Sequence, residues 1–207
     1  MSRSESVVYV VEDDPSFRKS LERLLRASGF EAVTFESATA FLAQPCDRRP
    51  ACLLLDVMLP DIDGLNLQRE LTARGSRLPV VFMTGHGSIP MGVQAMKQGA
   101  VDFLPKPFEA AELRKAILSA LERDAQNRAR EAQEERVQSL VETLTPREKE
   151  VLRWVITGKL NKQIAIALGT AEKTVKVHRG RVMQKLGVLS VAELVRLAEQ
   201  ANIPPAV

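Results

Sequence analysis

The first half of the chain alternates short apolar runs with amphipathic stretches. Compact apolar runs of strand length lie at 7–11, 51–55 and 79–83, and weaker ones lie at 32–35 and 101–104. Between them, apolar residues recur at helical spacing: Phe17, Leu21, Leu24 and Leu25, then Leu65, Leu67 and Leu71, then Ile89, Val93 and Met96. Gly29, Gly75 and Gly99 stand where such helices would end. Strands that alternate with helices predict an α/β fold, doubly wound around a five-stranded parallel sheet.

A single long helical pattern follows, from Glu109 to Glu142. It has a narrow apolar stripe made of Leu113, Ile117, Leu121, Ala125, Val137, Leu140 and Val141. Its centre, 124–136, is almost entirely charged, polar or alanine, so no core is expected around it. This pattern predicts an exposed helix that links two domains, with some coiled-coil pairing as a further expectation.

The last 65 residues have helix signals and no strand signal. Thr145-Pro146-Arg147-Glu148 combines an N-cap, a proline at the first helical position and a capping-box glutamate. Asn161, Thr170 and Ser190 are the expected N-caps of three further helices. Two short helices joined by a tight glycine turn, within an all-α four-helix unit, predict a helix-turn-helix. The predicted domains are 1–122, a helical linker at 123–142, and 143–207.

Composition narrows the class of protein. Apolar residues make up 45% of the chain and charged residues 27%, which is ordinary for a globular protein. No apolar run approaches the roughly 18 residues of a membrane span, and the N-terminus lacks the pattern of a secretory signal. Cys46 and Cys52 have no Cys/His cluster around them, which argues against a disulfide scaffold or a zinc site. We therefore expect a soluble, cytoplasmic protein with no membrane partner.

Charge divides the chain unevenly. The net charge of +3 combines −1 over residues 1–108, −2 over 109–142 and +6 over 143–207. A strongly basic end on an otherwise slightly acidic chain favours a nucleic-acid partner for that end.

Polar side chains follow the predicted strands. Glu12-Asp13-Asp14 follows the first strand and Asp56 the third, and ligands of open parallel sheets bind at the carboxyl ends of the strands. Clustered carboxylates repel one another, which favours a hard divalent cation such as Mg²⁺. Thr84 and Lys106 follow the fourth and fifth strands, and this set suits a phosphoryl group carried on a carboxylate. From spacing alone, acids that merely cap helices or face water are an equally good interpretation.

About residues 6–122 resemble the receiver domain of two-component response regulators. The resemblance is carried by Glu12-Asp13, Asp56, Thr84 and Lys106-Pro107, together with the stretches 58–64 and 99–108. The resemblance implies a flavodoxin-like strand order.

It also implies roles for individual residues. Asp56 would be the phosphoacceptor, and Mg²⁺ would be bound by Glu12, Asp13, Asp56 and the backbone carbonyl of Met58. Thr84 and Lys106 would contact the phosphoryl group, and Phe103 occupies the aromatic switch position. Glu12 stands where many members have Asp, and Asp14 is expected only to start a helix. His86 is interpreted as a loop residue, neither a ligand nor a base.

The helix predicted at 171–186 is rich in cations. It contains one acid, Glu172, and five cations: Lys173, Lys176, Arg179, Arg181 and Lys185. Its expected core-facing residues are Val175, Val182, Met183 and Leu186. Lysine and arginine can reach phosphates or guanine edges, whereas threonine and valine can touch a thymine methyl group. A merely solvated charged face is the alternative, although such faces usually mix both signs.

About residues 140–200 resemble the C-terminal domain of FixJ/NarL-type regulators, also called LuxR-type. The resemblance is carried by residues 144–148, 161–165, 174–178 and 185–186. The resemblance implies DNA contacts, with Lys176 and Val177 facing bases. The expected backbone contacts are Asn161, Lys162, Thr174, Arg181 and Lys185, and Arg179 completes the predicted set. Gly180 stands where some relatives have a basic base-reading side chain, which weakens the prediction of direct readout there.

Together the two resemblances imply a DNA-binding transcriptional regulator switched by phosphorylation of Asp56. A sensor histidine kinase would donate the phosphoryl group, and the only catalysis would be Mg²⁺-dependent self-phosphorylation and slow dephosphorylation. Phosphorylated receivers would pair through residues 89–98 and the fifth strand, including Val93 and Lys97. The paired basic domains would bind half-sites about one DNA turn (~34 Å) apart. RNA polymerase is a further candidate partner.

Two other classes remain open. A phosphate-ester hydrolase working through an aspartyl-phosphate would need a second acid two residues after Asp56, where this chain has Met58. A constitutive DNA binder would use the first domain only to dimerise, which leaves its complete acceptor set unexplained.

Overall fold

The computed structural model describes residues 6–44, 49–85 and 89–206. The predictions for Cys46 and His86 fall outside these ranges. The chain forms two compact units, one reaching to Arg128 and the other beginning at Ala129. In the described ranges, no helix is both long and apolar enough to cross a membrane.

The first unit alternates strands and helices: β1 Val7–Val11, α1 Pro15–Ala27, β2 Glu31–Phe35, α2 Ala38–Leu42, β3 Ala51–Asp56, α3 Gly64–Ala73, β4 Val80–Thr84, α4 Ile89–Lys97, β5 Asp102–Pro105 and α5 Ala110–Glu142. All strand pairings are parallel, in the order β2-β1-β3-β4-β5. This confirms the predicted doubly wound sheet. The order places its switch point between β1 and β3.

The sheet is covered on both faces, because successive side chains of a strand point to opposite sides. From β1, Val8 and Val10 join a core with α1 and the start of α5. Val7, Tyr9 and Val11 join a second core with α2, α3 and α4. Burial on both sides explains why these strands appear in the sequence as continuous apolar runs.

Helix α2 was not predicted from the sequence. It has only five residues and its N-cap is Ser37. A residue distant in sequence also caps its first turn. The carboxylate of Asp61 accepts hydrogen bonds from the backbone N–H groups of Ala38 and Thr39 and from the Thr39 hydroxyl. These bonds lower the pKa of Asp61, although burial acts in the opposite direction.

Part of the predicted exposed stretch of α5 is buried. Asp124 is 4% exposed, accepts a hydrogen bond from Ala51 N at 3.0 Å and pairs with Arg128. Asn127 donates to the backbone carbonyl of Arg77. The prediction that 124–136 is exposed is therefore wrong at Asp124, because this polar residue is buried where it supports the start of β3. The predicted boundaries at 122 and 142 stay predictions.

The second unit contains the end of α5 and four further helices: α6 Pro146–Val155, α7 Asn161–Ala167, α8 Glu172–Leu186 and α9 Val191–Gln200. The capping box of Thr145 and Glu148 and the Ser190 cap form as predicted. The predicted caps Asn161 and Thr170 are wrong. Leu160 and Ala171 occupy those N-cap positions and provide no side-chain cap.

Candidate functional site

Sheet register brings the acids together. Val11 pairs with Leu55, so Glu12 and Asp56 lie side by side at the carboxyl ends of β1 and β3. Glu12, Asp13 and Asp56 each offer an oxygen within 4.8 Å of the others. Glu12 and Asp56 are buried, and Asp13 is exposed. We call these three acids and Lys106 the acidic pocket.

Lys106 is the cation of this pocket. Its Nζ lies 2.6 Å from Oε2 of Glu12 and 2.5 Å from Oδ2 of Asp56. The backbone N–H of Lys106 donates to the carbonyl of Thr84, which fixes the end of β5 beside that of β4. The ammonium also lies 4.1 Å from the centroid of the Phe17 ring. Lys106 therefore has a fixed position between two carboxylates.

Burial and pairing act against each other in the acidic pocket. Burial raises the pKa of Glu12 above 4.5, and its hydrogen bond from Lys106 offsets only part of that rise. Burial alone would lower the pKa of Lys106, but its hydrogen bonds with Asp56 and Glu12 raise it above 10.5. The pocket therefore keeps a permanent cation beside its acids.

The remaining predicted members of this site lie around Asp56. The backbone N–H of Met58 donates to Oδ1 of Asp56 at 2.8 Å, while the Met58 residue is 63% exposed. Thr84 is buried at the end of β4, next to Met83, which pairs with Asp56. Asp14 caps α1 by accepting from Ser16 N and Phe17 N, which confirms its role as a helix-start acid.

The donor set fits a hard divalent cation. Three carboxylates within reach of one another supply oxygen ligands, and one of them is open to solvent. Oxygen ligands of this kind are preferred by Mg²⁺ and Ca²⁺.

Two neighbours of this site were not anticipated from the sequence. Arg18 Nη1 donates to the backbone carbonyls of Glu12 and Asp13, at 2.6 and 3.1 Å, and so supports the acidic turn. Phe17 lies under Lys106 and packs edge-on against Phe108. Neither contact could be predicted from residue spacing, because both form only when helix α1 folds back over the turn.

A separate apolar surface lies on α4 and β5. A cavity of about 620 Å³ is lined by Gly92, Val93, Met96, Lys97, Asp102 and Phe103. Val93 and Met96 are 48% and 47% exposed, whereas Ala95 is buried. Two members of the predicted apolar stripe of α4 therefore do not belong to the core. Phe103 is half-buried beside Gly92.

Helix α8 buries Val175, Val182 and Leu186, with Met183 half-buried, as predicted. Lys173, Lys176, Val177 and Arg181 are exposed, and we call them the basic surface. Within the part of the chain that the structure describes, its three cations make no hydrogen bond or ion pair. Lys162 is also exposed, on α7, and Thr174 is half-buried. His178 is half-buried, and its Nδ1 has no hydrogen-bond partner in that part of the chain.

Three of the predicted DNA contacts, Asn161, Arg179 and Lys185, have partners inside the second unit. Arg179 Nη1 donates to Oδ1 of Asn161 at 3.0 Å, which joins α8 to α7. Lys185 Nζ lies 2.6 Å from Oε2 of Glu148. The hydrogen bond from Lys185 is the main reason that the pKa of Glu148 falls to about 2.

Both units match known families. Residues 8–118 match the response regulator receiver domain, and residues 142–198 match the bacterial regulatory proteins of the luxR family. The chain is 48% identical over 200 residues to Nodulation protein W of Bradyrhizobium diazoefficiens, covering 97% of this chain and 88% of that protein. The solved response regulator StyR has a TM-score of 0.80 at 47% identity, covering 95% of this chain and 100% of that one. Full-length FixJ from B. japonicum has a TM-score of 0.57 at 38% identity, covering 96% and 98%.

Proposed function

The chain belongs to the response regulators that join a receiver domain to a LuxR-type DNA-binding domain, and from this premise we propose that phosphorylation of Asp56 controls its binding to DNA. The observation that carries the proposal is the Asp56 carboxylate, held between the Met58 N–H and the Lys106 ammonium and flanked by Glu12 and Asp13. The site of action is the cytoplasm, where the DNA and a sensor histidine kinase would meet it.

In the transfer step, an oxygen of Asp56 attacks the phosphorus of a phosphohistidine on the kinase. The new O–P bond forms as the P–N bond breaks, and the departing imidazole nitrogen takes the electron pair of that bond and a proton from solvent. Mg²⁺ held by Glu12, Asp13, Asp56 and the Met58 carbonyl would neutralise charge on the phosphoryl oxygens. Lys106 supplies a fixed positive charge at the same place, so little reorganisation is needed as the charge develops.

The switch follows from the added charge. A phosphoryl group on Asp56 attracts the Lys106 ammonium and accepts a hydrogen bond from the Thr84 hydroxyl. Movement of Thr84 at the end of β4 frees space that the half-buried ring of Phe103 fills from β5. A local electrostatic change thereby biases an element with two arrangements.

The output is pairing of two receivers. Inward movement of Phe103 reshapes the surface that Val93 and Lys97 line, and a second copy covers its exposed apolar side chains. Pairing brings two basic surfaces to adjacent half-sites on DNA. Lys176 and Val177 face bases, while Asn161, Lys162, Thr174, Arg179 and Arg181 contact the sugar-phosphate backbone.

Phosphorylation is tested with a small phosphodonor, acetyl phosphate, in the presence of Mg²⁺. We expect the intact protein to gain the mass of one phosphoryl group, located at Asp56 by peptide mass spectrometry after borohydride reduction. Asp56→Asn should gain none. Asp14→Asn is the matched control, because that acid lies in the same turn but caps α1, and it should still be labelled. Labelling that persists in Asp56→Asn, or that needs no divalent cation, would contradict the proposal.

A further inference from the structure

The basic side chains of α8 differ in how many of their donors are already used. Lys173, Lys176 and Arg181 are exposed and make no ion pair in the described ranges. Arg179 uses one N–H on Asn161 and keeps the rest of its guanidinium for a phosphate. Lys185 is different, because two of its three donors are occupied inside the second unit.

The Lys185 ammonium connects three elements. It donates to Oε2 of Glu148 at 2.6 Å, in the first turn of α6, and to the carbonyl of Thr143 at 3.0 Å, directly after α5. The same Glu148 carboxylate accepts from the N–H of Thr145 at 2.9 Å. Lys185 is therefore joined to the capping box that begins α6 and to the end of the long helix.

Burial makes this contact costly to break. The side chain of Glu148 is 3% exposed, whereas that of Lys185 is 35% exposed. If Lys185 turned toward a DNA phosphate, the Glu148 carboxylate would stay buried without its cation, which is strongly unfavourable. Lys185 also lies at the C-terminal end of α8, roughly 20 Å along the helix from its start, whereas recognition helices contact bases near their N-terminal end.

We infer that Lys185 and Glu148 form a positioning pair, which fixes the angle of α8 against the end of α5 and the start of α6, and that Lys185 does not contact DNA. This inference rests on the proposed DNA binding by α8 and removes one residue from the contacts predicted from the sequence. It also gives the end of α5 a direct side-chain connection to the recognition helix.

The test separates positioning from phosphate contact by the salt dependence of binding. Full-length protein with Mg²⁺ and beryllofluoride is titrated, over a range of salt concentrations, into a duplex selected in vitro with the wild-type protein and into a duplex of random sequence. The variants are Lys185→Gln, Glu148→Gln and, as a phosphate-contact control, Arg181→Gln. Glu148→Gln keeps an acceptor for Thr145 N, and Trp154 fluorescence checks that the second unit of each variant remains folded.

We expect Lys185→Gln and Glu148→Gln to weaken binding to the selected duplex by on the order of tenfold. Neither should change the slope of log K against log salt, and their effects should not add. Arg181→Gln should lower the magnitude of that slope by about one on both duplexes. If Lys185→Gln lowers the magnitude of that slope by about one, the inference is overturned. It is also overturned if Glu148→Gln binds DNA more tightly, because Lys185 would then have been released toward DNA. If Arg181→Gln changes nothing either, the proposed DNA surface fails and the positioning role fails with it.

Discussion

The acidic pocket and the basic surface both concentrate charge, but they arrange it in opposite ways. In the pocket, a cation lies within 2.6 Å of two carboxylates that are almost fully buried. On the basic surface of α8, Lys173, Lys176 and Arg181 stand in solvent with no internal partner among the described residues. The first arrangement is balanced within the protein, and the second is left for a polyanion to balance.

This difference sets how each region should respond to change. Buried charges interact through a medium of low effective dielectric, so a small displacement or a lost partner has a large effect that salt hardly screens. Exposed charges contribute modest, roughly independent amounts that salt weakens. The pocket is therefore expected to be sensitive to single changes and the basic surface to be tolerant of them.

The largest expected effect is loss of the pocket cation. Lys106→Met leaves Glu12 and Asp56 buried without a positive partner, which should lower the free energy of unfolding of the first unit by about 3 kcal/mol. Mg²⁺ should restore part of this loss, because it supplies the missing charge. Denaturant titration followed by circular dichroism, with and without Mg²⁺, measures both. A variant as stable as wild type would show that the pocket does not depend on internal balance.

Packing behind the pocket should matter nearly as much. A β-carbon at Gly64 would meet the backbone oxygen of Asp56, so Gly64→Ala must displace either α3 or the end of β3. We expect a loss of about 2 kcal/mol in unfolding free energy, together with slower labelling of Asp56 by acetyl phosphate. Gly75→Ser tests α3 separately, because Gly75 has a positive φ but nothing near its β-position. It should lower stability without slowing the labelling of folded protein.

On the basic surface, single changes should be smaller per residue and dependent on salt. Lys176→Ala should reduce affinity for a selected duplex by about 1–3 kcal/mol, because it removes a base-edge contact. Lys173→Ala, an exposed cation nearer the start of α8, is the comparison. It should weaken binding to selected and random duplexes equally. Fluorescence anisotropy measures both, and equal losses from Lys176→Ala on the two duplexes would contradict its role in reading bases.

A smaller, pH-dependent effect is expected in the second unit. The pKa of Glu148 is lowered from 4.5 to about 2, so the ionised form is favoured by folding. Its contribution to stability is fully present above pH 4.5 and is lost as the pH falls toward 2. Glu148→Gln should therefore be less stable than the wild type at pH 6. Between pH 4.5 and 2, its free energy of unfolding should fall less than that of the wild type. Trp154, the only tryptophan of the chain, reports on this unit selectively.

The smallest expected effect is at a local cap. Ser190 accepts a hydrogen bond from Glu193 N at the start of α9. Ser190→Ala should cost about 1 kcal/mol in the second unit and leave the first unchanged. Thermal unfolding monitored through Trp154 measures the loss, and Ser190→Asn, which can still cap, should retain most of the stability.

Local and periodic signals predicted most of the fold. Apolar runs gave the five strands, and the parallel order followed from their alternation with helices. The acids at strand ends could be predicted to meet, because equivalent ends of parallel strands share one edge. Thr145 and Ser190 were readable as caps because their partners lie three residues away.

What escaped prediction depends on contacts distant in sequence. The first backbone N–H groups of helix α2 donate hydrogen bonds to the Asp61 carboxylate, more than twenty residues later in the chain. In the sequence, nothing distinguishes Lys185 from the other cations of α8, because its partner Glu148 is distant along the chain. Helical periodicity also could not separate Val93 and Met96 from core residues, because an apolar interaction surface and a core face give the same pattern.

We propose that a phosphoryl group in the acidic pocket makes two copies of this chain pair. Sedimentation velocity with Mg²⁺, with and without beryllofluoride, tests it most directly on the wild type and on Asp56→Ala. We predict that the wild type changes from monomer to dimer only with beryllofluoride, and that Asp56→Ala stays a monomer in both conditions. A wild type that remains monomeric, or an Asp56→Ala variant that dimerises equally well, would contradict the claim.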